Sequence, residues 1–127
     1  MHHLGVLYST NAWDPITEEI VLQALHLLVQ PSTYPCLVMC NLGRHRTGTV
    51  IGCLRKLQHW NLSAILEEYR RCAGPKGRGL NELYIELSDG VRVLCDDLAL
   101  APKIHVYIVS PAAAQIRIWR RSRWHWV

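Results

Sequence analysis

The chain predicts an α/β fold, a parallel sheet flanked by helices, and three features of the sequence predict it. An apolar run after Pro35 has the length of a short buried strand, with Cys40 at its end. Gly43 then marks a tight turn, and a helical apolar pattern begins near Arg46, so strand, loop and helix follow one another as a unit. Further helical patterns lie on both sides of it. Open sheets of this class bind ligands at the C-terminal ends of their strands, here the end of the Pro35 to Met39 strand. With 127 residues, half of them apolar, the chain is near the size of a single core.

Met1 to Tyr8 carries a small apolar alternation, enough for an edge strand. Ser9 to Glu19 is turn-rich. Ile20, Val21, Ala24, Leu25, Leu27 and Leu28 then recur at helical spacing, which predicts an amphipathic helix ending before Pro31. Asp14 has two readings. Followed by Pro15, it has the residue types of a helix N-cap, the reading those types favour. As a carboxyl on a loop beside an anion site it would serve as general acid.

The chemistry gathers between Cys40 and Gly48. A loop set against a helix N-terminus offers unpaired backbone N–H groups and the positive end of the helix dipole, a ready site for a tetrahedral oxyanion. Cys40 in that field, with Arg44, His45 and Arg46 close by, is expected to be a thiolate at neutral pH and a nucleophile. Arg46 presents a planar fork for two phosphate oxygens, and Thr47 a hydroxyl that can stabilise the departing sulfur. Asn41, Leu42, Gly43, Arg44 and His45 supply the wall of the anion site. The spacing C-x5-R is weak alone; the strand before it and the Thr-Gly and apolar helix after it make it specific. Gly43 and Gly48 have the spacing of a nucleotide-binding phosphate loop, but Thr49 and Val50 stand where that loop needs Lys and Ser or Thr.

From Cys40 through Gly48, on through Thr49-Val50-Ile51-Gly52-Cys53-Leu54-Arg55-Lys56-Leu57-Gln58 and to Glu67-Glu68-Tyr69-Arg70-Arg71, the chain closely resembles the plant and fungal atypical dual-specificity phosphatases, most of all the fungal oxidant-induced cell-cycle arrest branch. The resemblance covers about Trp13 to Leu87. It implies a cysteine-dependent phosphatase fold, a phosphocysteine intermediate and no metal or other cofactor. Its implied substrates are a phosphotyrosine-type protein or an inositol pyrophosphate, and its implied partners are related phosphatase-like proteins in a hetero-oligomer. The family also aligns an acidic residue at Asp14, next to a matching Pro. Met39 stands where many relatives have His, and Leu42 where the inositol-pyrophosphate-cleaving branch has a basic residue. Such a fold places several strands and a helix ahead of the nucleophile, yet 39 residues precede Cys40, so the chain reads as incomplete at its N-terminus.

Thr47 to His59 reads as the helix after the loop, with Val50, Ile51, Leu54 and Leu57 as its apolar stripe and Gly48 and Gly52 permitting close packing on a strand. Arg55 and Lys56 read as solvated, and Cys53 as core. Cys36 lies on the side of the strand that carries Cys40, but no second ligand pair at zinc spacing accompanies them. Ala64 to Cys72 predicts another helix, with Asn61 or Ser63 as cap, Ile65, Leu66 and Tyr69 inward, and Glu67, Glu68, Arg70 and Arg71 as solvated pairs. In the Gly-rich loop Ala73 to Gly79, Lys76 and Arg78 are candidates for an outer phosphate of a polyanion, although a solvated loop is the plainer reading. Leu80 to Leu87 predicts a last helix.

The resemblance stops near Gly90, which divides the chain into a partial phosphatase domain, 1–90, and a divergent tail, 91–127. Ile104 to Val109 has the β-branched content of a strand. Ile116 to Val127 mixes four arginines with three tryptophans, and the tail is expected to pack poorly. A formal charge of +4 without a long basic run does not call for a nucleic-acid partner. No apolar run reaches the roughly 18 residues of a membrane span. Five cysteines without a framework spacing point to a reducing compartment, the cytoplasm. The expected function is hydrolysis of a phosphomonoester or phosphoanhydride; the rival is a phosphatase-like binding module that keeps the anion loop without turnover.

Overall fold

A computed structural model describes residues 16–33, 36–40 and 42–88, together with the backbone of 107–110, 115–120 and 123–126. Helix α1 (Glu18–Val29) is the amphipathic helix expected from its apolar spacing. Its N-cap is Thr17, in extended conformation, and Glu18 and Glu19 set negative charge in the first turn, where the helix dipole favours it. The cap reading of Asp14 is therefore overturned, because the helix starts at Glu18 instead of at Pro15. At the other end Thr33 Oγ lies 2.7 Å from the carbonyl oxygens of both Leu27 and Gln30, sharing its one proton between two acceptors that the Gln30 and Thr33 N–H groups reach only at 3.3 and 3.1 Å.

Strand β1 (Leu37–Val38) is shorter than expected, and it is not buried on both faces. Cys36 and Val38, two residues apart, pack against the helical core, while Leu37 and Met39 between and beyond them are about half exposed, 51% and 49%. The continuous apolar run hid this two-residue alternation.

Helix α2 (His45–Leu57) is the centre of the described structure and packs against α1, α3 (Leu62–Ala73) and α4 (Gly79–Leu87). Every residue from Thr47 to Arg55 is buried. The core joins Val21, Leu25 and Leu28 of α1 to Val50, Ile51, Cys53, Leu54 and Leu57 of α2, and these to Ile65 and Tyr69 of α3 and Ile85 of α4. The two helical glycines serve close packing, though on helices instead of a strand. A Cβ at Gly48 would lie 2.8 Å from the Tyr69 ring, and one at Gly52 would lie 2.6 Å from Ile85 Cδ1. The α2 C-terminus closes with His59 at φ 58°, its N–H donating to Lys56 O at 2.9 Å while Trp60 N–H donates to Arg55 O at 3.0 Å, the paired bonds of a left-handed helix stop. Asn61 caps α3, its side chain accepting from Ser63 N–H at 2.9 Å.

Two residues expected to be solvated are core. Arg55 is 1% exposed and donates to Glu68 through Nε at 3.1 Å and Nη2 at 3.3 Å, and to Gln58 Oε1 at 2.8 Å, with its guanidinium 4.4 Å from the Trp60 ring centre. The outward pairs, Arg71 with Glu67 and Arg70 with Glu82, are exposed at their arginine ends.

The tail contributes β2 (Tyr107–Ser110), β3 (Gln115–Arg120) and β4 (Arg123–Trp126), and the strand order is β1-β2-β3-β4. The strand composition of Ile104 to Val109 is thus realised in part, and two further strands form beyond it. The sheet is mixed: β1 and β2 are parallel, but β2-β3 and β3-β4 are antiparallel. The physical reason is connection length, since the links between the last three strands hold a few residues each and a parallel crossover needs a dozen or more. The α/β class and the parallel pair at the functional strand stand. The alternation of Met1 to Tyr8 lies outside the described residues.

Candidate active site

Strand β1 delivers Cys40 to the loop that leads into α2. The loop turns back on itself by a bond from Gly43 N–H to Cys40 O at 3.1 Å. Gly43 is buried with φ 61°, a left-handed backbone that side-chain-bearing residues adopt at a cost, so glycine is required by the turn itself. Helix α2 then starts at His45, and its N-terminal amides face the loop, with Gly48 N–H donating to Arg44 O at 2.8 Å.

Opposing effects act on the Cys40 thiol. Burial, the largest, pushes its pKa up; hydrogen bonds from the Thr47 hydroxyl and from the backbone N–H groups of Thr47, Leu42 and Arg44 pull it down, and together they outweigh burial. The net direction is below that of an ordinary thiol. The sequence had credited the neighbouring cations; the lowering comes from dipoles instead. Thr47 Oγ is itself buried and has no partner of ordinary hydrogen-bond geometry among the described residues. Two other thiols, Cys36 and Cys53, move the opposite way, pushed up by burial.

Arg46 and Arg44 are half-buried at the N-terminus of α2 and have no ion-pair partner among the described residues. His45 is held below the usual histidine range first by burial, then by the charges of Arg78 and Arg44. Arg78, from a distant stretch of chain, is thus close enough to His45 for its charge to be felt there. Lys76 sits exposed on a 3-10 turn, Gly74–Lys76. Leu42 lines the loop with its side chain 46% exposed. Asn41 and Asp14 lie outside the described residues.

Two residues were missed as site neighbours. Tyr69 had been read only as core, yet its hydroxyl accepts from Asn81 Nδ2 at 2.9 Å and from Arg78 N–H at 3.3 Å, and lies 3.5 Å from His45 Nδ1. Asn81 is buried, 7% exposed. The available signal was chemical: a tyrosine on a buried stripe needs a partner for its hydroxyl, and a polar amide in the next helix can be that partner. Among the described residues no group of three or more His, Cys, Asp or Glu is placed to hold a metal ion.

A sequence model described as "Tyrosine phosphatase family" matches residues 1–101. A Mycosarcoma maydis protein bearing the name tyrosine-protein phosphatase OCA1 is 82% identical over 90 residues, 70% of this chain and 57% of that protein. A Dictyostelium discoideum protein bearing the name tyrosine-protein phosphatase DG1060 is 62% identical over 87 residues, 68% of this chain and 52% of that one. Among solved structures, the core catalytic domain of the PP-IP phosphatase SIW14 from S. cerevisiae, in complex with citrate, superposes with a TM-score of 0.63 at 38% identity, covering 71% of this chain and 56% of that one. A second structure of the Siw14 catalytic core gives 0.69 at 35% identity, covering 80% and 61%. The chain spans about half the length of the curated relatives it matches.

Proposed function

This chain belongs to the tyrosine phosphatase family, and we propose that it hydrolyses a phosphomonoester or phosphoanhydride through a phosphocysteine. One observation carries the reading: the Cys40 sulfur lies under three backbone N–H groups and the Thr47 hydroxyl, which lower its pKa against the effect of burial. In the first step a sulfur lone pair attacks phosphorus in line. The S–P bond forms, the bond from phosphorus to the leaving oxygen breaks, and that oxygen takes a proton from a carboxyl, for which Asp14 is the candidate. Arg46 and the α2 N-terminus hold the equatorial oxygens, where charge is concentrated. In the second step water attacks phosphorus and gives its proton to the carboxylate. The S–P electron pair returns to sulfur, the Thr47 hydroxyl stabilises the thiolate, and inorganic phosphate leaves.

Two substrate classes fit. The names of the curated relatives support a phosphotyrosine-type protein. The Siw14 structures support an inositol pyrophosphate, as does Arg78 beside the loop, where a second phosphate would meet it. Residues 1–90 form the phosphatase part in this proposal, 91–127 an appended tail, the compartment is the cytoplasm, and related phosphatase-like proteins are the partners. Among the described residues no helix is long and apolar enough to cross a membrane.

The test is selective alkylation. Because the Cys40 pKa is lowered while those of Cys36 and Cys53 are raised, iodoacetamide at pH 6 labels Cys40 first, and vanadate protects it. Equal labelling of these cysteines overturns the nucleophile. Cys40→Ser abolishes hydrolysis of an aryl phosphate while phosphate still binds; phosphate binding with no turnover in the unaltered protein favours the binding module.

A further inference from the structure

Tyr69 joins three elements through one buried side chain, 2% exposed. Its ring lies against the first turn of α2, so close that a Cβ at Gly48 would be 2.8 Å from Cδ2 and 3.0 Å from Cε2. Its hydroxyl takes N–H groups from Asn81, in the first turn of α4, and from Arg78, the α4 N-cap, at 2.9 and 3.3 Å. A tyrosine oxygen has two acceptor sites and one proton. The two donors fill the acceptor sites, so the proton is directed to His45 Nδ1, 3.5 Å away. His45 then accepts at Nδ1 and carries its own proton on Nε2, the neutral state also favoured by burial and by Arg78 and Arg44.

We infer that Tyr69 is a positioning residue that sets the Arg78 segment in register with the anion loop, and so controls the grip on a phosphate beyond the one Cys40 attacks. This rests on the reading of the loop as an anion site and of Arg78 as its outer contact. The physical point is leverage. Arg78 is tied to α4 on one side, its carbonyl accepting from Asn81 and Glu82 N–H at 3.0 and 3.3 Å, while on the other it continues into the Gly-rich segment through Gly77. The bond from its N–H to Tyr69 fixes the root of the side chain, and the ring fixes Tyr69 to the turn that carries Arg46 and Thr47. Without the hydroxyl, Arg78 keeps its charge and its carbonyl bonds to α4, but loses the tie that holds it against the first turn of α2.

The test is calorimetric titration with inorganic phosphate and inorganic triphosphate, in a Cys40→Ser background that cannot turn either over. The readout is the ratio of the two affinities, which a general loss of stability does not move. Tyr69→Phe keeps the ring contact and lowers the preference for triphosphate about 3- to 10-fold, the scale of one lost hydrogen bond. Asn81→Ala, which removes one donor and leaves the Arg78 bond, lowers it less, and the affinity for single phosphate stays near that of the background. Tyr69→Phe combined with Arg78→Ala falls no further than Arg78→Ala alone. The positioning role is overturned if Tyr69→Phe leaves the ratio where it was, weakens both anions equally, or adds fully to Arg78→Ala. If Arg78→Ala itself leaves the ratio unmoved, the outer-phosphate reading fails and the positioning role falls with it, whereas absent turnover in the unaltered protein would bear only on the enzyme reading.

Discussion

Helix α2 carries arginines at both ends, and the two ends use them in opposite ways. At the C-terminal end Arg55 is sealed under Trp60 and held by both oxygens of Glu68 and by Gln58. At the N-terminal end Arg44 and Arg46 are half-buried beside a loop of inward-turned amides, without an ion-pair partner among the described residues. The same guanidinium group is a fold element where a carboxylate meets it inside the protein. Where no carboxylate of the described residues meets it and backbone amides lie beside it instead, it is left to the role proposed above, that of receiving an external dianion. The difference lies in which helix packs against which end: α3 brings Glu68 to Arg55, whereas it brings the Tyr69 hydroxyl, a neutral group, toward His45.

The contrast breaks most visibly if the buried pair is cut. Glu68→Ala leaves Arg55 charged and enclosed, and is expected to cost about 3–5 kcal/mol of stability, read as a lowered urea midpoint. Arg55→Met with Glu68→Leu recovers most of that loss, because two charges no longer have to be taken from water. A single-variant cost below about 1 kcal/mol would mean the pair behaves as a surface one, and the two ends would no longer differ.

At the N-terminal end the signature reverses. Arg46→Lys keeps the charge and loses the fork, so turnover of an aryl phosphate falls about 10- to 100-fold, the scale of lost charge-assisted hydrogen bonds. The urea midpoint barely moves, since surface-type changes stay within about 0.5 kcal/mol. A parallel loss of stability would show that Arg46, like Arg55, belongs to the fold.

The smallest effect sharpens the comparison from the C-terminal side. His59 closes α2 at φ 58°, and His59→Gly removes the Cβ strain there, raising stability by about 1 kcal/mol without altering turnover. Thermal melts and aryl phosphate kinetics on the same preparation check both halves of that statement.

What could be read from the sequence is what depends on local chemistry. The order strand, Cys40, Gly43 turn, helix is written in an apolar run, a turn residue and a helical stripe, and each is set by its immediate neighbours. The α3 cap at Asn61 is legible for the same reason. Asp14 shows the limit of local reasoning: its residue types suit a helix cap, yet the helix begins at Glu18 with Thr17 before it. Propensity identifies a good cap without saying where the packed face of the helix has to start.

The sequence by itself determined the loop that carries Cys40, Gly43 and Arg46, because a left-handed turn and a helix N-terminus are built by residues adjacent in the chain. Only the tertiary structure decided which charges would be structural and which would line the site. Arg55 with Glu68, and Tyr69 with Arg78 and Asn81, are partners 13, 9 and 12 residues apart that meet when α3 and α4 pack onto α2. The strand directions of the tail were decided there too, by how short links between strands can close. Whether a polar group is solvated or enclosed depends on what the fold lays over it, and no spacing along one helix records that.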